Sequence, residues 1–330
     1  MNKWTCMAAV LSISANVAAA DFQPYIVNGT SASVTTYPSY VALFYDRIDY
    51  DGRYGSGSYC GGTLLNNQYV LTAAHCVFND EEGNLFTSVV PKLQLEGDFP
   101  SNVQERVMVS EIYYPSTYED ETLFNDIAIL KLERALTTVS SADYAIRPTV
   151  DDYSTYRAYS EEFKAVGHGD TRSNADESNE LLQTTLTWVP NNQCNYTVTT
   201  DNNLCMQGEV PTGSTLENAT CQGDSGGPLY WYNGTEYVQV GVTSFGPDTQ
   251  CGDPSASINA TSVFSEVIRF SSWIDNVLNG GESPKFVATD SRRNDFLSGT
   301  DSSSSGGGGG GSLGIMTFVF LLMAGALRKR

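Results

Sequence analysis

A serine set among glycines, in Cys221-Gln222-Gly223-Asp224-Ser225-Gly226-Gly227-Pro228, is the stretch of this sequence best suited to chemistry. A serine hydroxyl is a poor nucleophile until a base removes its proton. The rest of the chain has to supply that base, and it holds 2 histidines, His75 and His168. His75 stands in Leu71-Thr72-Ala73-Ala74-His75-Cys76, and a carboxylate able to orient an imidazole stands in Asn125-Asp126-Ile127-Ala128-Ile129-Leu130.

The order His, Asp, Ser is the chymotrypsin order. With Ile26-Val27-Asn28-Gly29 added, four separated motifs fall in sequence between residues 26 and 280. The chain thus resembles the secreted serine endopeptidases of the chymotrypsin and trypsin family. That resemblance implies an all-β fold of two six-stranded antiparallel β-barrels closed by a C-terminal helix. It implies that Ser225 is the nucleophile, His75 the general base and then acid, and Asp126 the residue that fixes the imidazole tautomer. The backbone N–H groups of Gly223 and Ser225 would form the oxyanion hole. Cutting before Ile26 would free an α-amino group to pair with Asp224. The resemblance also implies disulfides Cys60–Cys76, Cys194–Cys205 and Cys221–Cys251, and a substrate-binding edge at Ser244-Phe245-Gly246 that takes an extended peptide by β-augmentation.

Ala219 stands where trypsin-like relatives carry the aspartate that binds Lys or Arg, and Gly246 and Ser262 are the small walls implied for the same pocket. An open, uncharged slot favours Tyr, Phe, Leu or Met, because each buried CH₂ contributes roughly 0.8 kcal/mol. Tyr25 preceding Ile26 points the same way. Trypsin-like or elastase-like specificity, and a non-catalytic surface-binding homologue, are the alternatives. The expected partners are polypeptide substrates, met by a monomer, together with a tail-processing protease and export machinery. No cofactor and no metal are expected: Asp80, Glu81, Glu82, Glu96, Asp98 and Glu105 match no calcium loop in their spacing. His168 departs from the tryptophan usual between the two glycines and reads as a structural or surface imidazole.

The elements that must position these residues show as short apolar runs between Gly, Pro, Asn and Asp. Val41–Tyr45, Tyr69–Leu71, Val107–Val109, Ile127–Leu130, Leu186–Val189 and Val238–Val242 suit strands. Val267, Phe270, Ile274 and Val277 recur at helical spacing within Glu266–Leu278. Residues 1–20 read as a signal peptide ending in small residues, whose removal takes Cys6 from the 7 cysteines and leaves an even number. Residues 21–25 read as a short activation propeptide and 26–280 as the protease domain. Residues 281–312 read as a Ser/Gly-rich linker, with a glycine run over 306–311.

Residues 313–330 are an apolar stretch ending in Arg328-Lys329-Arg330, short for a spanning helix. This tail resembles the glycine-rich sorting signal of Gram-negative secreted proteins, with a glycolipid-anchor signal and a permanent membrane anchor as alternatives. The protein is therefore expected to be secreted, or held at the cell surface through the tail. With 38 Asp plus Glu against 18 Lys plus Arg, the net charge of -20 argues against nucleic acid as a partner.

Overall fold

The computed structural model describes residues 26–299, apart from 174, 176, 177, 195, 248, 249 and 255–258. The expected signal peptide and propeptide, the glycine run and the apolar tail therefore lie outside the described residues. Strands β1 (Thr30–Ser31), β2 (Tyr40–Arg47), β3 (Arg53–Tyr54), β4 (Cys60–Leu64), β5 (Tyr69–Thr72), β6 (Thr87–Pro91), β7 (Val107–Tyr113) and β8 (Ala128–Leu132) come first. Strands β9 (Glu162–Gly167), β10 (Leu182–Val189), β11 (Asn203–Gln207), β12 (Pro228–Tyr232), β13 (Tyr237–Phe245), β14 (Ser262–Glu266) and β15 (Phe286–Val287) follow. The helices are α1 (Ile48–Asp51), α2 (Glu81–Leu85), α3 (Val150–Tyr156), α4 (Ser271–Leu278) and α5 (Asp290–Ser298).

All strand pairs are antiparallel and close two six-stranded barrels. In the first the order is β7-β6-β2-β4-β5-β8, closed by β7 against β8. In the second it is β10-β11-β14-β13-β12-β9, closed by β9 against β10. Strand β2 shows why its sequence is apolar without a break. Successive side chains point to opposite faces of a strand. Val41 and Leu43 therefore enter the first barrel's core, while Tyr40, Ala42 and Phe44 pack with Val166, Leu181 and Tyr230 from the second barrel. The same alternation lets Leu71, Ile127 and Ile129 reach Val242 across the junction. The barrels share an apolar wall, along which His75, Asp126 and Ser225 sit on loops while Ser244 and Phe245 end β13 and Ser262 begins β14.

The helical spacing over Glu266–Leu278 resolves into three pieces. Glu266 still belongs to β14, a 3₁₀ turn runs from Val267 to Phe270, and α4 follows. All four of the spaced apolar residues are buried against Leu71, Ile127 and Ile129, so the pattern marks a buried face while the first turn is wound tighter than an α-helix.

The chain does not loosen after α4. Lys285 N–H donates to Ile112 O at 2.7 Å, β15 pairs with β7, and α5 docks beside α2. Residues 285–299 are therefore a folded strap on the first barrel, a correction to the expected linker. The strap reads as polar because its central residue is Arg293, which is fully buried. The Arg293 Nε donates to Leu85 O at 2.6 Å, one Nη donates to Val109 O at 2.8 Å, and the other pairs with Glu133 and Asp290. Phe286, Ala288, Phe296 and Leu297 pack around Leu85 and Phe86.

Candidate active site

His75 and Asp126 meet on loops that leave neighbouring strands β5 and enter β8, which pair in register from Tyr69↔Lys131 to Thr72↔Ala128. Asp126 is wholly buried. Its Oδ1 accepts the His75 backbone N–H at 2.9 Å and its Oδ2 the His75 Nδ1 at 2.7 Å. The Ser244 hydroxyl donates to the same Oδ2, and the Ser265 hydroxyl donates to the Asp126 carbonyl at 2.6 Å. A carboxylate cannot donate, so His75 Nδ1 carries the proton and Nε2 is left as the basic nitrogen. Burial works against a charge on His75, but the charge and hydrogen bond of Asp126 outweigh it, and Asp120 adds to them, so the imidazole pKa lies above its ordinary value.

Ser225 is brought toward this pair by main-chain contacts. Its carbonyl accepts the Gly61 N–H at 2.7 Å, Gly61 follows Cys60, and Cys60 is bonded to Cys76 beside His75. The turn on which it sits needs glycine. Gly223 has φ +94, and a Cβ there would lie 2.8 Å from the Gly169 Cα. Gly226 has φ +75, and a Cβ there would lie 2.1 Å from Thr72 Oγ1. The other disulfides are Cys194–Cys205 and Cys221–Cys251, the latter holding the chain just before Ser225.

Asp224 is buried behind this turn. It accepts the Gly169 N–H at 2.9 Å and the Cys221 N–H at 2.8 Å. Burial pushes its carboxyl up to about 7, even though these two donors pull the other way. Ile26 is likewise buried, and Val27 packs with Ala219, Cys221 and Cys251. Asn28 donates to Leu216 O at 2.8 Å, so the Ile26–Gly29 segment lies along the chain that leads into Ser225.

A cavity of about 370 Å³ opens beside Ser225, lined by Thr220, Gln222, Thr243, Ser244, Phe245, Gly246 and the Cys221–Cys251 bridge, among others. Two expected pocket residues stand elsewhere. Ala219 is buried in the cluster with Val27, and its neighbour Thr220 lines the cavity instead. Ser262 does not line it either: its Oγ accepts the Thr220 N–H and hydroxyl, each at 2.9 Å, and so braces that residue. The sequence reading missed Thr220, Gln222, Thr243 and Pro247. Their positions beside Ser225 and Ser244 were the available signal.

His168 is a buried structural group. Its Nδ1 lies 3.0 Å from the Tyr40 hydroxyl, and burial pushes it down to about 4. The carboxylates considered for calcium are dispersed. Asp80 caps α2, Glu82 pairs with Arg47, Glu96 accepts from Ser58, and Glu105 from Arg134, Thr137 and Thr138. Among the described residues the one grouping of metal-ligand atoms is Cys60, His75 and Cys76, whose sulfurs are consumed in a disulfide.

Comparison with known proteins agrees with this geometry. Residues 26–274 match the family described as trypsin. The chain is 32% identical over 277 residues to "Trypsin, alkaline B" of Manduca sexta, covering 82% of this chain and 94% of that protein. It is 28% identical over 271 residues to "Venom serine protease" of Polistes dominula, covering 77% of this chain and 86% of the relative. A third relative, "CLIP domain-containing serine protease B4" of Anopheles gambiae, is 26% identical over 265 residues, covering 76% and 70%. These relatives are insect proteins and the family match stops before the tail, so the expectation of a bacterial sorting signal gains no support from them. Nor is any helix among the described residues long and apolar enough to cross a membrane. The chain belongs to the trypsin family of serine proteases.

Proposed function

We propose that this chain is an exported serine endopeptidase that cuts extended polypeptides after large apolar or aromatic residues. The observation that carries the catalytic part is the buried Asp126 holding His75 Nδ1 at 2.7 Å while also accepting from Ser244, which lines the cavity together with Ser225. Ser225 Oγ attacks the scissile carbonyl while His75 Nε2 takes its proton. The tetrahedral oxyanion is met by the Gly223 and Ser225 N–H groups, and His75 returns the proton to the departing amine. Water then repeats the sequence on the acyl-enzyme.

The specificity rests on the absence of charge among the described lining residues, one of which, Thr220, spends its hydroxyl on Ser262 behind it. A buried Lys or Arg head would find no carboxylate among these described residues and would lose several kcal/mol in desolvation. Activation follows from the same preference. Tyr25 precedes Ile26, so the enzyme, or one of like specificity, cuts that bond. The new Ile26 ammonium then pairs with Asp224, whose buried carboxyl lacks a cation among its described contacts.

A set of fluorogenic peptides differing only in the residue before the cut tests the reading. Cleavage is expected after Tyr, Phe and Leu. Strong cleavage after Arg with none after Tyr would overturn the specificity, and processing of Ser225→Ala to Ile26 in isolation would exclude self-activation.

A further inference from the structure

Arg293 is an unusual side chain to find wholly buried, since arginine is almost never enclosed without partners. Besides Asp290 on its own helix and Tyr50 in α1, its partners are Leu85, Val109 and Glu133, and each of these three belongs to a segment that leads back to the candidate catalytic pair. Leu85, whose carbonyl accepts from Nε, ends α2. Next to it, buried Asn84 donates its amide to the Val77 carbonyl at 2.7 Å, and Val77 N–H donates to Ala74 O at 3.0 Å, which closes a turn around His75 and Cys76. On the other side, Glu133 directly follows β8, the strand that starts after Asp126 and Ile127. Val109 lies on β7, which pairs with β8. One guanidinium thus pins the chain downstream of His75 to the chain downstream of Asp126.

The strap is built to hold that group in place. Thr289 caps α5 by accepting the Arg292 N–H, and Tyr50 donates to Asp290 at 2.6 Å. Arg292 pairs with Glu81 on α2 at 3.0 Å and lies over the Phe286 ring. Phe296 packs edge-on against Phe86. The strap therefore grips α2 from both sides of Arg293.

We propose that Arg293 is a positioning residue for the His75–Asp126 pair, and that the C-terminal strap, by carrying it, makes residues beyond the family match part of the catalytic apparatus. The proposal rests on the serine endopeptidase reading. Its test uses the full chain, with Arg293→Met and Arg293→Lys as variants. Two quantities are read: turnover of a tyrosyl peptide, and the low-field proton resonance of His75 Nδ1–H, which is visible whether or not the protein cleaves anything. Arg293→Met should lower kcat about 10-fold, short of the roughly 100-fold that an ångström of misplacement costs, with KM little changed. It should also broaden the His75 resonance, and Arg293→Lys should fall between it and the unaltered chain. A folded Arg293→Met protein that melts earlier but keeps both kcat and the resonance would overturn the proposal. Should that variant not fold, the unaltered chain in sub-denaturing urea decides. Amide exchange over 290–298 and loss of the His75 resonance should rise together, and a strap that opens while the resonance persists contradicts the inference. Failure of the endopeptidase reading itself would appear separately, as hydrolysis surviving Ser225→Ala, and the resonance would still report on the strap.

Discussion

Asp126 keeps a carboxylate inside the protein because donors are aimed at both oxygens, and Ser244 is the one of them that also faces the cavity. Hydrogen bonds to a buried charge are each worth about 1.5–3 kcal/mol. Ser244→Ala should therefore leave the fold intact and lower kcat/KM by roughly 10-fold or more. Unchanged kinetics would mean that this hydroxyl is idle.

Asp224 gives a second residue-scale test, because burial raises its carboxyl from 3.8 to about 7. A raised acid binds its proton more tightly folded than unfolded, so this group's contribution to stability is greatest below 3.8 and falls as the pH climbs from there toward 7. That slope belongs to the uncut chain, and an Ile26 ammonium should remove it by favouring the charged form. From pH 3.8 to 7 the urea midpoint of the uncut Ser225→Ala protein should fall relative to that of a form beginning at Ile26. Equal slopes would show that the ammonium does not reach Asp224. The residues proposed to react could be named from the sequence because such chemistry demands particular side chains at particular places. Thr220 was not, since a threonine acquires its role only from the cavity that forms around it.

At the scale of elements, the strap is where sequence and structure part. Residues 281–299 are rich in charged and small side chains, and hydropathy counts Arg293 as surface. Only the fold reveals that the carbonyls of Leu85 and Val109 wait for its guanidinium. The local signals were present, with Thr289 as helix cap and Gly299 at φ +66 closing α5, but they were dispersed among polar residues that suit a linker equally well. A chain ending at Gly280 should consequently lose roughly 3 kcal/mol or more, because it uncovers Leu85 and Phe86 and takes the donor from the Leu85 and Val109 carbonyls. A chain ending at Gly299 should keep its stability. Matching urea midpoints for the two would return the strap to the status of a linker. The strands were easier to read: Val41–Tyr45 and Val238–Val242 are β-branched and aromatic runs, and both fall inside observed strands.

For the whole molecule, the two barrels bring together residues that neither holds alone. The first carries His75 and Asp126 near its closing strands. The second supplies Ser225, Ser244 and the cavity, and strand β2 joins the cores so that the two sets stay in register. The resemblance made this architecture readable because four motifs fix the order of the parts, whereas no sequence periodicity states how two barrels face each other. The net charge of -20 over the full sequence opposes self-association.

The central claim is that Ser225 is the nucleophile served by His75 and Asp126, and the most direct measurement is to react the folded protein with a serine-directed phosphonate and map the adduct by mass spectrometry. The adduct should lie on Ser225, at one per chain. It should vanish in His75→Ala and Ser225→Ala together with peptide hydrolysis. Stoichiometric labelling at another serine, or hydrolysis persisting in Ser225→Ala, would contradict it.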